Sequence, residues 1–186
     1  MRIESPSWWI GASVAATYRD LVEPTPTGGA ATRIPVPRLS PRPGQILITG
    51  DVAVERVLDT AELHARAGTI HEVRYATRCC CEMHLVQGVP LHEVLAETCP
   101  LLDKRHKMGR LNVIVLVMSE DGYQVVLSLA EIDPEFGACA ALLATRYNGR
   151  VLTRPTLVMP HDNRASRYVR DLCHLRLLSV DPLATR

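Results

Sequence analysis

Two apolar runs joined by a tight turn constrain the fold of this chain most. Residues 111–118 form a nearly continuous apolar run, and Asp121-Gly122 separates it from a second run at 123–128. A short apolar run of this kind is typical of a buried strand, and Asp-Gly between two such runs indicates a β-hairpin. Asn148-Gly149 repeats the turn signal after an apolar run at 139–147. The sequence therefore predicts sheets in which hairpins are prominent.

Short helical patterns interrupt these strands. Asp59 and Glu62 have the spacing of a helix cap, which predicts a helix at 61–67. A proline in the first turn and apolar residues at helical spacing predict a second helix at 90–97, and a third pattern covers 129–132. The prediction is an α+β fold, in which mixed β-sheets carry short inserted helices.

The first 43 residues differ in composition from the rest of the chain. They contain seven of the 13 prolines, and proline fixes φ and removes a backbone donor. Residues 1–43 are therefore predicted to be an extended or irregular arm, and residues 44–186 to be one domain. Trp8 and Trp9 lie in this arm. Adjacent tryptophans are seldom left solvated, so the arm is either a loose tail or a strap anchored by these two rings.

The composition of the chain excludes several functional classes. A formal net charge of +1 gives no broad basic field, so nucleic acid is not an expected partner. No apolar run approaches the roughly 20 residues of a membrane helix, and the N-terminus lacks the apolar stretch of a signal peptide. Three of the six cysteines are contiguous, unlike the spacing of a secreted disulfide framework. We expect a reduced, cytoplasmic protein that has no membrane partner.

The contiguous cysteines mark the candidate site. A predicted strand at 69–78 leads into Cys79-Cys80-Cys81, and Gly88-Val89-Pro90 gives a turn signal after them. On an extended segment Cys79 and Cys81 would share one face and Cys80 would take the other. Adjacent cysteines also make a poor disulfide. The pattern predicts free thiols at the end of a strand, where a thiol can meet a ligand.

The order of these elements resembles the molybdopterin-binding domain of the sulfite oxidase family, over about residues 45–180. The strand that ends in Arg78-Cys79 is most similar to the catalytic subunit of bacterial methionine sulfoxide reductase, in which the thiolate of an Arg-Cys pair binds molybdenum. The other motifs that carry the resemblance are Gly50-Asp51-Val52, Gly88-Val89-Pro90-Leu91, Asp121-Gly122-Tyr123, Asn148-Gly149 and Leu157-Val158-Met159-Pro160.

The resemblance implies an oxidoreductase with a molybdenum–pterin cofactor, a small-molecule substrate and a separate electron-transfer partner. Cys79 would bind the metal, and Cys80 is the second choice. A thiolate is a soft donor suited to such a metal, and the neighbouring Arg78 would favour the thiolate form. Arg78, Glu82 or His84 would line the substrate side.

The same resemblance predicts where the anionic end of the pterin is held. Residues 163–170 are rich in arginine, and two arginines three residues apart in a helical turn would share one face. The alternative for these arginines is a solvated surface stripe. The predicted cofactor-binding residues are His161, Arg164, Ser166, Arg167 and Arg170.

Two other functions stay open at the level of sequence. Cys80-Cys81-Glu82 stands where the family usually has other residues, which favours a protein that takes up a pterin or another anionic ligand without redox turnover. Alternatively, the three thiols act as nucleophiles or redox groups in a biosynthetic pathway. A soft-metal site at the triplet with Met83 and His84 matches no standard zinc spacing.

Overall fold

The computed structural model of the chain describes residues 41–102, 108–137 and 139–180. Most of the predicted arm, including Trp8 and Trp9, lies outside these residues. The strands in the described part are β1 Gln45–Gly50, β2 Arg56–Asp59, β3 Ile70–Ala76, β4 Cys81–Pro90, β5 Val113–Ser119, β6 Gln124–Ser128, β7 Leu142–Tyr147, β8 Arg150–Val158 and β9 Leu172–Ser179. The helices are α1 Thr60–Arg66, α2 Leu91–Ala96 and α3 Leu129–Ile132, with 3-10 turns at Gly109–Asn112 and Ala165–Arg167.

The strands form two sheets. The first has the order β2-β1-β9-β5-β6, in which only the β1–β9 pair is parallel. The second has the order β3-β4-β7-β8 and is antiparallel throughout. An isolated bridge between Leu157 and Val169 joins the end of β8 to the segment that precedes β9. These mixed sheets with three short helices agree with the predicted α+β class.

One apolar cluster is shared by both sheets. Ile48 in β1 and Leu177 in β9 come from the first sheet, and Leu143 in β7 and Leu157 in β8 come from the second. All four side chains have no exposed surface. In β1 the buried residues alternate along the strand, as expected where one face is covered, whereas β7 and β8 bury consecutive residues and are therefore covered on both faces there.

Two glycines bring strands closer than any side chain permits. A Cβ atom on Gly88 would lie 2.1 Å from the carbonyl oxygen of Leu143, where the β4–β7 ladder shifts register. Gly50 ends β1 with φ +99°, and a Cβ there would lie 2.0 Å from the oxygen of Leu177. Glycine is therefore required at both positions by contact with a neighbouring backbone.

Several predicted boundaries are corrected by pairing between strands. Gly88-Val89-Pro90 was expected to form a turn, but it is the end of the ten-residue strand β4. The motif Leu157-Val158-Met159-Pro160 begins inside β8, which itself starts at Arg150 because it pairs with β7 across the Asn148-Gly149 turn. Asp59 is the N-cap of α1 as predicted, but its side chain makes no capping hydrogen bond. Backbone partners from distant sequence decide these limits, and local patterns do not record them.

Among the described residues, no helix combines the length and the apolar character needed to cross a membrane.

Candidate functional site

A cavity of about 930 Å³ lies beside the β7–β8 hairpin. The β5–β6 turn and, from the segment before β9, Ala165, Tyr168, Arg170 and Asp171 complete its wall. The charged residues of its lining are three arginines and three carboxylates, namely Arg150, Arg154, Arg170, Glu120, Asp121 and Asp171, and the rings of Tyr147 and Tyr168 lie beside them. Cavities of roughly 300–1,000 Å³ are typical of cofactor and small-molecule sites.

Arg154 is the most unusual residue of this cavity because its charge is buried. Only 6% of its surface is exposed. Its Nη2 donates a hydrogen bond to Glu120 Oε1 at 3.1 Å, while Nη1 is buried and has no hydrogen-bond partner among the described residues. A buried donor without a partner costs about 1–3 kcal/mol. An anion in the cavity would balance the charge.

Two tyrosines place further hydroxyl groups on the cavity wall. The hydroxyl of Tyr168 is buried and lacks a hydrogen-bond partner within the described part of the chain. Burial, helped by the neighbouring Tyr75, raises the pKa of Tyr168 to about 12. Burial also raises the pKa of Tyr147 above its ordinary value, followed by its hydrogen bond with Tyr75. Both hydroxyls are therefore protonated at neutral pH, but that of Tyr147 is already engaged by Tyr75.

A hydrogen-bonded cluster next to the cavity holds Tyr75 in place. The Tyr75 ring meets the Tyr168 ring edge-on, with centroids 5.4 Å apart, and stacks on His84. His84 Nε2 lies 2.9 Å from Tyr75 Oη and 3.0 Å from Glu82 Oε2. Asn148 Nδ2 lies 2.9 Å from His84 Nδ1, and an amide donor there requires the imidazole proton on Nε2. Glu82, a predicted substrate-side residue, therefore belongs to a hydrogen-bonded network with His84 and Tyr75. The Tyr75 ring in turn contacts Tyr168 on the cavity wall.

The three cysteines lie at the tip of the β3–β4 hairpin. Cys79 and Cys80 belong to the loop between the strands, and Cys81 is the first residue of β4. The backbone N–H of Thr77 donates to the carbonyl of Cys80 at 2.8 Å, which closes the loop. All three thiols are free and exposed. A strand ends just before the three cysteines, as predicted, but the chain then turns back directly into β4.

The reversal corrects the predicted facing of the thiols. The Sγ atoms of Cys79 and Cys80 lie 3.7 Å apart, so these two side chains share a side. The alternation expected from an extended segment does not apply within a tight loop. None of the three cysteines lines the large cavity.

Arg78 is exposed in the same loop, directly before Cys79. The hydroxyl of Thr77 is the leading cause that lowers the pKa of the Cys79 thiol, and the Cys80 thiol is the second. The sequence assigned this lowering to Arg78. The structure shows that the hydrogen bonds of the loop produce it.

The arginines of the late segment are separated rather than paired. The 3-10 turn ends at Arg167, so Arg167 and Arg170 do not share a helical face as predicted. Arg167 donates from Nε and Nη2 to both oxygens of Asp162, at 2.8 and 2.6 Å, and from Nη1 to Glu131 at 2.6 Å. Arg170 lines the large cavity. The guanidinium of Arg167 is bound by the carboxylates of Asp162 and Glu131, so Arg167 is not available to a ligand as Arg170 is.

The other predicted cofactor-binding residues lie apart from Arg154. Arg164 and Ser166 are exposed, and the carbonyl of Ser166 accepts a hydrogen bond from Tyr123. His161 is exposed and lines a second cavity of about 420 Å³, together with His71 and His92. The structure therefore brings only Arg170 of the five predicted residues to the wall of the large cavity.

Comparison with known proteins gives a likeness of fold. No family model matches the chain, and no curated protein matches it. Among solved structures, the sulfane dehydrogenase SoxCD from Paracoccus pantotrophus is similar, with a TM-score of 0.53 and 15% sequence identity. The likeness covers 72% of this chain and 38% of that chain. At this identity it supports the general fold and does not transfer the roles of individual residues.

Arg154 and Tyr168 are site residues that the sequence did not single out. Arg154 lies in a mixed run of apolar and polar residues at 151–156, and an arginine there normally faces solvent. In the structure it is buried and lines the cavity with Glu120 and Tyr168. The available signal was a charged residue in the strand that leads to Leu157-Val158-Met159-Pro160. Whether that charge is buried depends on tertiary packing, which the sequence does not show.

Proposed function

We propose that this chain binds a molybdopterin-type cofactor by its anionic end in the arginine-lined cavity. With that cofactor it would act as an oxidoreductase on a small-molecule substrate, with a separate electron-transfer partner. The observation that carries the proposal is the buried guanidinium of Arg154, whose Nη1 has no partner among the described residues beside a cavity of about 930 Å³. The likeness of fold to sulfane dehydrogenase supports the same direction.

The cavity wall suits a phosphate or diphosphate group. Guanidinium groups form charge-assisted and often bidentate hydrogen bonds with such groups. Arg154 would supply a buried donor, Arg170 a second cation, and Tyr168 a neutral donor whose hydroxyl stays protonated at neutral pH. Burial strengthens these contacts, since water competes less for them.

The protein's own groups would position the cofactor, and a bound molybdenum–pterin group supplies oxygen-atom or two-electron chemistry. Cys79 is the proposed metal ligand, and Cys80 is the second choice. The contacts of Cys79 with Thr77 and Cys80 lower the pKa of its thiol, which favours the thiolate that a metal ligand requires. Arg78, next to Cys79, is the proposed substrate-side cation.

A second candidate function is favoured by the position of the thiols. Cys79 and Cys80 are exposed in the hairpin loop and do not line the cavity that holds Arg154. The residues that line the cavity thus fit the anionic end of the cofactor better than its metal end. The corresponding function is the binding of a pterin or another anionic ligand in the same cavity without molybdenum turnover.

One experiment separates these functions. The chain and its variants are purified from a host that makes the molybdenum cofactor, and the molybdenum and the extracted pterin are measured per chain. Arg154→Gln tests the cavity, with Arg164→Gln as the matched control because Arg164 is an exposed arginine outside it. Cys79→Ser tests the metal ligand, with Cys81→Ser as its control.

The outcomes differ for each function. Molybdenum and pterin in about equal amounts, with molybdenum lost in Cys79→Ser and both lost in Arg154→Gln, supports the oxidoreductase. Pterin without metal, lost only in Arg154→Gln, supports the second candidate. If neither is found, or if Arg154→Gln retains as much pterin as Arg164→Gln, the cavity proposal is wrong. Thiol-dependent activity in the absence of both would then favour thiol chemistry.

A further inference from the structure

The hairpin loop between β3 and β4 presents two thiols side by side to solvent. The Sγ atoms of Cys79 and Cys80 lie 3.7 Å apart, and both residues are exposed and free of a disulfide. Two metal–sulfur bonds of about 2.3 Å each reach sulfurs up to about 4.6 Å apart. The observed separation therefore lies within the reach of a single metal ion.

The loop is held in this form by Thr77. Its hydroxyl accepts a hydrogen bond from the backbone N–H of Cys80 at 3.2 Å and lies 3.5 Å from Cys79 Sγ and 3.4 Å from Cys80 Sγ. The backbone hydrogen bond from Thr77 to Cys80 closes the same turn. A pair of ligands that is already positioned loses little conformational freedom when it binds an ion.

The number of available ligands limits the kind of ion. Structural zinc requires four ligands. Within the described ranges no group of three or more histidine, cysteine or carboxylate side chains is arranged to hold a metal. A pair of thiolates instead suits a soft ion of low coordination number, and among biological metals thiolates select Cu(I). A disulfide is a weaker alternative, because adjacent cysteines rarely meet its geometry.

We propose that this loop binds one Cu(I) ion through the thiolates of Cys79 and Cys80. Two S–H bonds break and two Cu–S bonds form, the two protons pass to solvent, and neither copper nor sulfur changes oxidation state. The site is separate from the arginine-lined cavity, since neither sulfur lines it. Copper binding therefore does not require a pterin in that cavity. Because Cys79 is also the proposed molybdenum ligand, copper would occupy this thiol in chains that carry no molybdenum.

Cys81 provides the matched control. It is also exposed and adjacent in sequence, but it begins β4, and no sulfur contact to it is found among the described residues.

The test uses cofactor-free, fully reduced protein under anaerobic conditions. Cu(I) is supplied as its coloured complex with bicinchoninate, and the loss of colour measures the copper that the protein withdraws. We expect wild type and Cys81→Ser to withdraw one Cu(I) per chain. Cys79→Ser and Cys80→Ser should bind at least about tenfold more weakly, since loss of even an outer-shell partner commonly costs 10- to 100-fold.

Two further measurements keep the result interpretable. X-ray absorption of the loaded protein should show two sulfur neighbours around copper, and circular dichroism should show that the serine variants remain folded. Arg154→Gln should bind copper as wild type does. The proposal is overturned if wild type withdraws no copper, if Cys81→Ser weakens binding as much as the other two variants, or if oxygen or nitrogen ligands dominate the spectrum.

Discussion

The guanidinium of Arg154 is divided between Glu120 and the cavity. Its Nη2 lies 3.1 Å from Glu120 Oε1, while its buried Nη1 has no hydrogen-bond partner in the described part of the chain. The Glu120 side chain is 63% exposed, so solvent screens it, whereas Arg154 is almost fully buried. Glu120 therefore compensates the buried positive charge of Arg154 only partly.

Replacing Glu120 should make this cavity a better anion site. We expect Glu120→Gln to raise the affinity for pyrophosphate by about two- to fivefold, since exposed ion pairs are worth roughly 0.2–1 kcal/mol. Titration calorimetry at low ionic strength measures the effect. Glu135→Gln is the control, because Glu135 is an exposed carboxylate that pairs with Arg110 and does not line the cavity. Weaker binding by Glu120→Gln than by the control would contradict the proposed role of Arg154.

Substitutions of Arg167 and Arg170 should have different effects, the first on stability and the second on anion binding. Arg167→Gln removes three hydrogen bonds to Asp162 and Glu131, and we expect it to lower the free energy of unfolding by about 1–2 kcal/mol while pyrophosphate affinity is kept. Arg170→Gln should weaken pyrophosphate binding and leave stability nearly unchanged, because Arg170 is an exposed residue on the cavity wall. Urea denaturation and calorimetry measure the two effects. The reverse pattern would move the anion site to Arg167.

Gly88 should be intolerant of any side chain. The Cβ of Gly88→Ala would lie 2.1 Å from the carbonyl oxygen of Leu143, so the β4–β7 ladder must shift. We expect a loss of about 2–4 kcal/mol in the free energy of unfolding. Gly68→Ala is the matched control, because a Cβ there meets nothing within 4 Å. Equal stability of the two variants would show that this contact between strands is not needed.

His174 should make the protein sensitive to acid. Burial, followed by the charge of Arg176, lowers its pKa to about 4, and Glu55 opposes this shift. The unfolded chain, with a histidine pKa near 6.5, binds the proton more tightly, so stability is full above about pH 6.5 and falls as the pH drops towards 4. A shift of this size corresponds to about 3 kcal/mol.

His174→Gln should flatten this part of the stability profile, measured by urea denaturation between pH 4 and 8. His161→Gln is the control, because His161 is exposed. The loss of Nε2, which lies 2.7 Å from Thr49 Oγ1, should lower stability equally at every pH and leave the slope unchanged. An unchanged slope in His174→Gln would assign the acid sensitivity to other groups.

Thr77 should control the reactivity of Cys79. Because the Thr77 hydrogen bond is the leading cause of the lowered pKa, Thr77→Val should move the pH midpoint of Cys79 alkylation upwards. Mass spectrometry of the peptide that contains Cys79, after timed treatment with iodoacetamide, measures this midpoint. Thr69→Val, at an exposed threonine before β3, should leave it unchanged. A shift of equal size in both variants would exclude a specific role for the Thr77 hydroxyl.

Strand and helix types were predictable where the local pattern was strong. The hairpin of β5 and β6 follows from two apolar runs around Asp121-Gly122, and α3 occupies the predicted residues 129–132. The pairing between strands was harder to predict from the sequence. The glycine and proline of Gly88-Val89-Pro90 signalled a turn, yet β7 pairs with these residues and keeps them in β4. Tertiary pairing overrides local propensity where the partner strand lies far away in sequence.

The cysteine triplet shows the same limit at the level of the site. The sequence located three free thiols at the end of a strand, and the structure finds them there. It could not predict that Cys79 and Cys80 face the same way, because this depends on a turn closed by Thr77. The late arginines were found by composition, but carboxylates on Asp162 and Glu131 decide which of them is available.

The sequence by itself determined the α+β class, the positions of the two hairpins at Asp121-Gly122 and Asn148-Gly149, and the residues whose chemistry a site requires. Periodicity and turn residues act over a few neighbours, and these features depend on little else. Only the tertiary structure decided that Arg154 is buried beside a cavity, that Arg167 is neutralised by carboxylates and that the thiols lie in a separate loop. Burial and charge pairing depend on residues that are distant in the chain, and their energies exist only after the sheets have assembled.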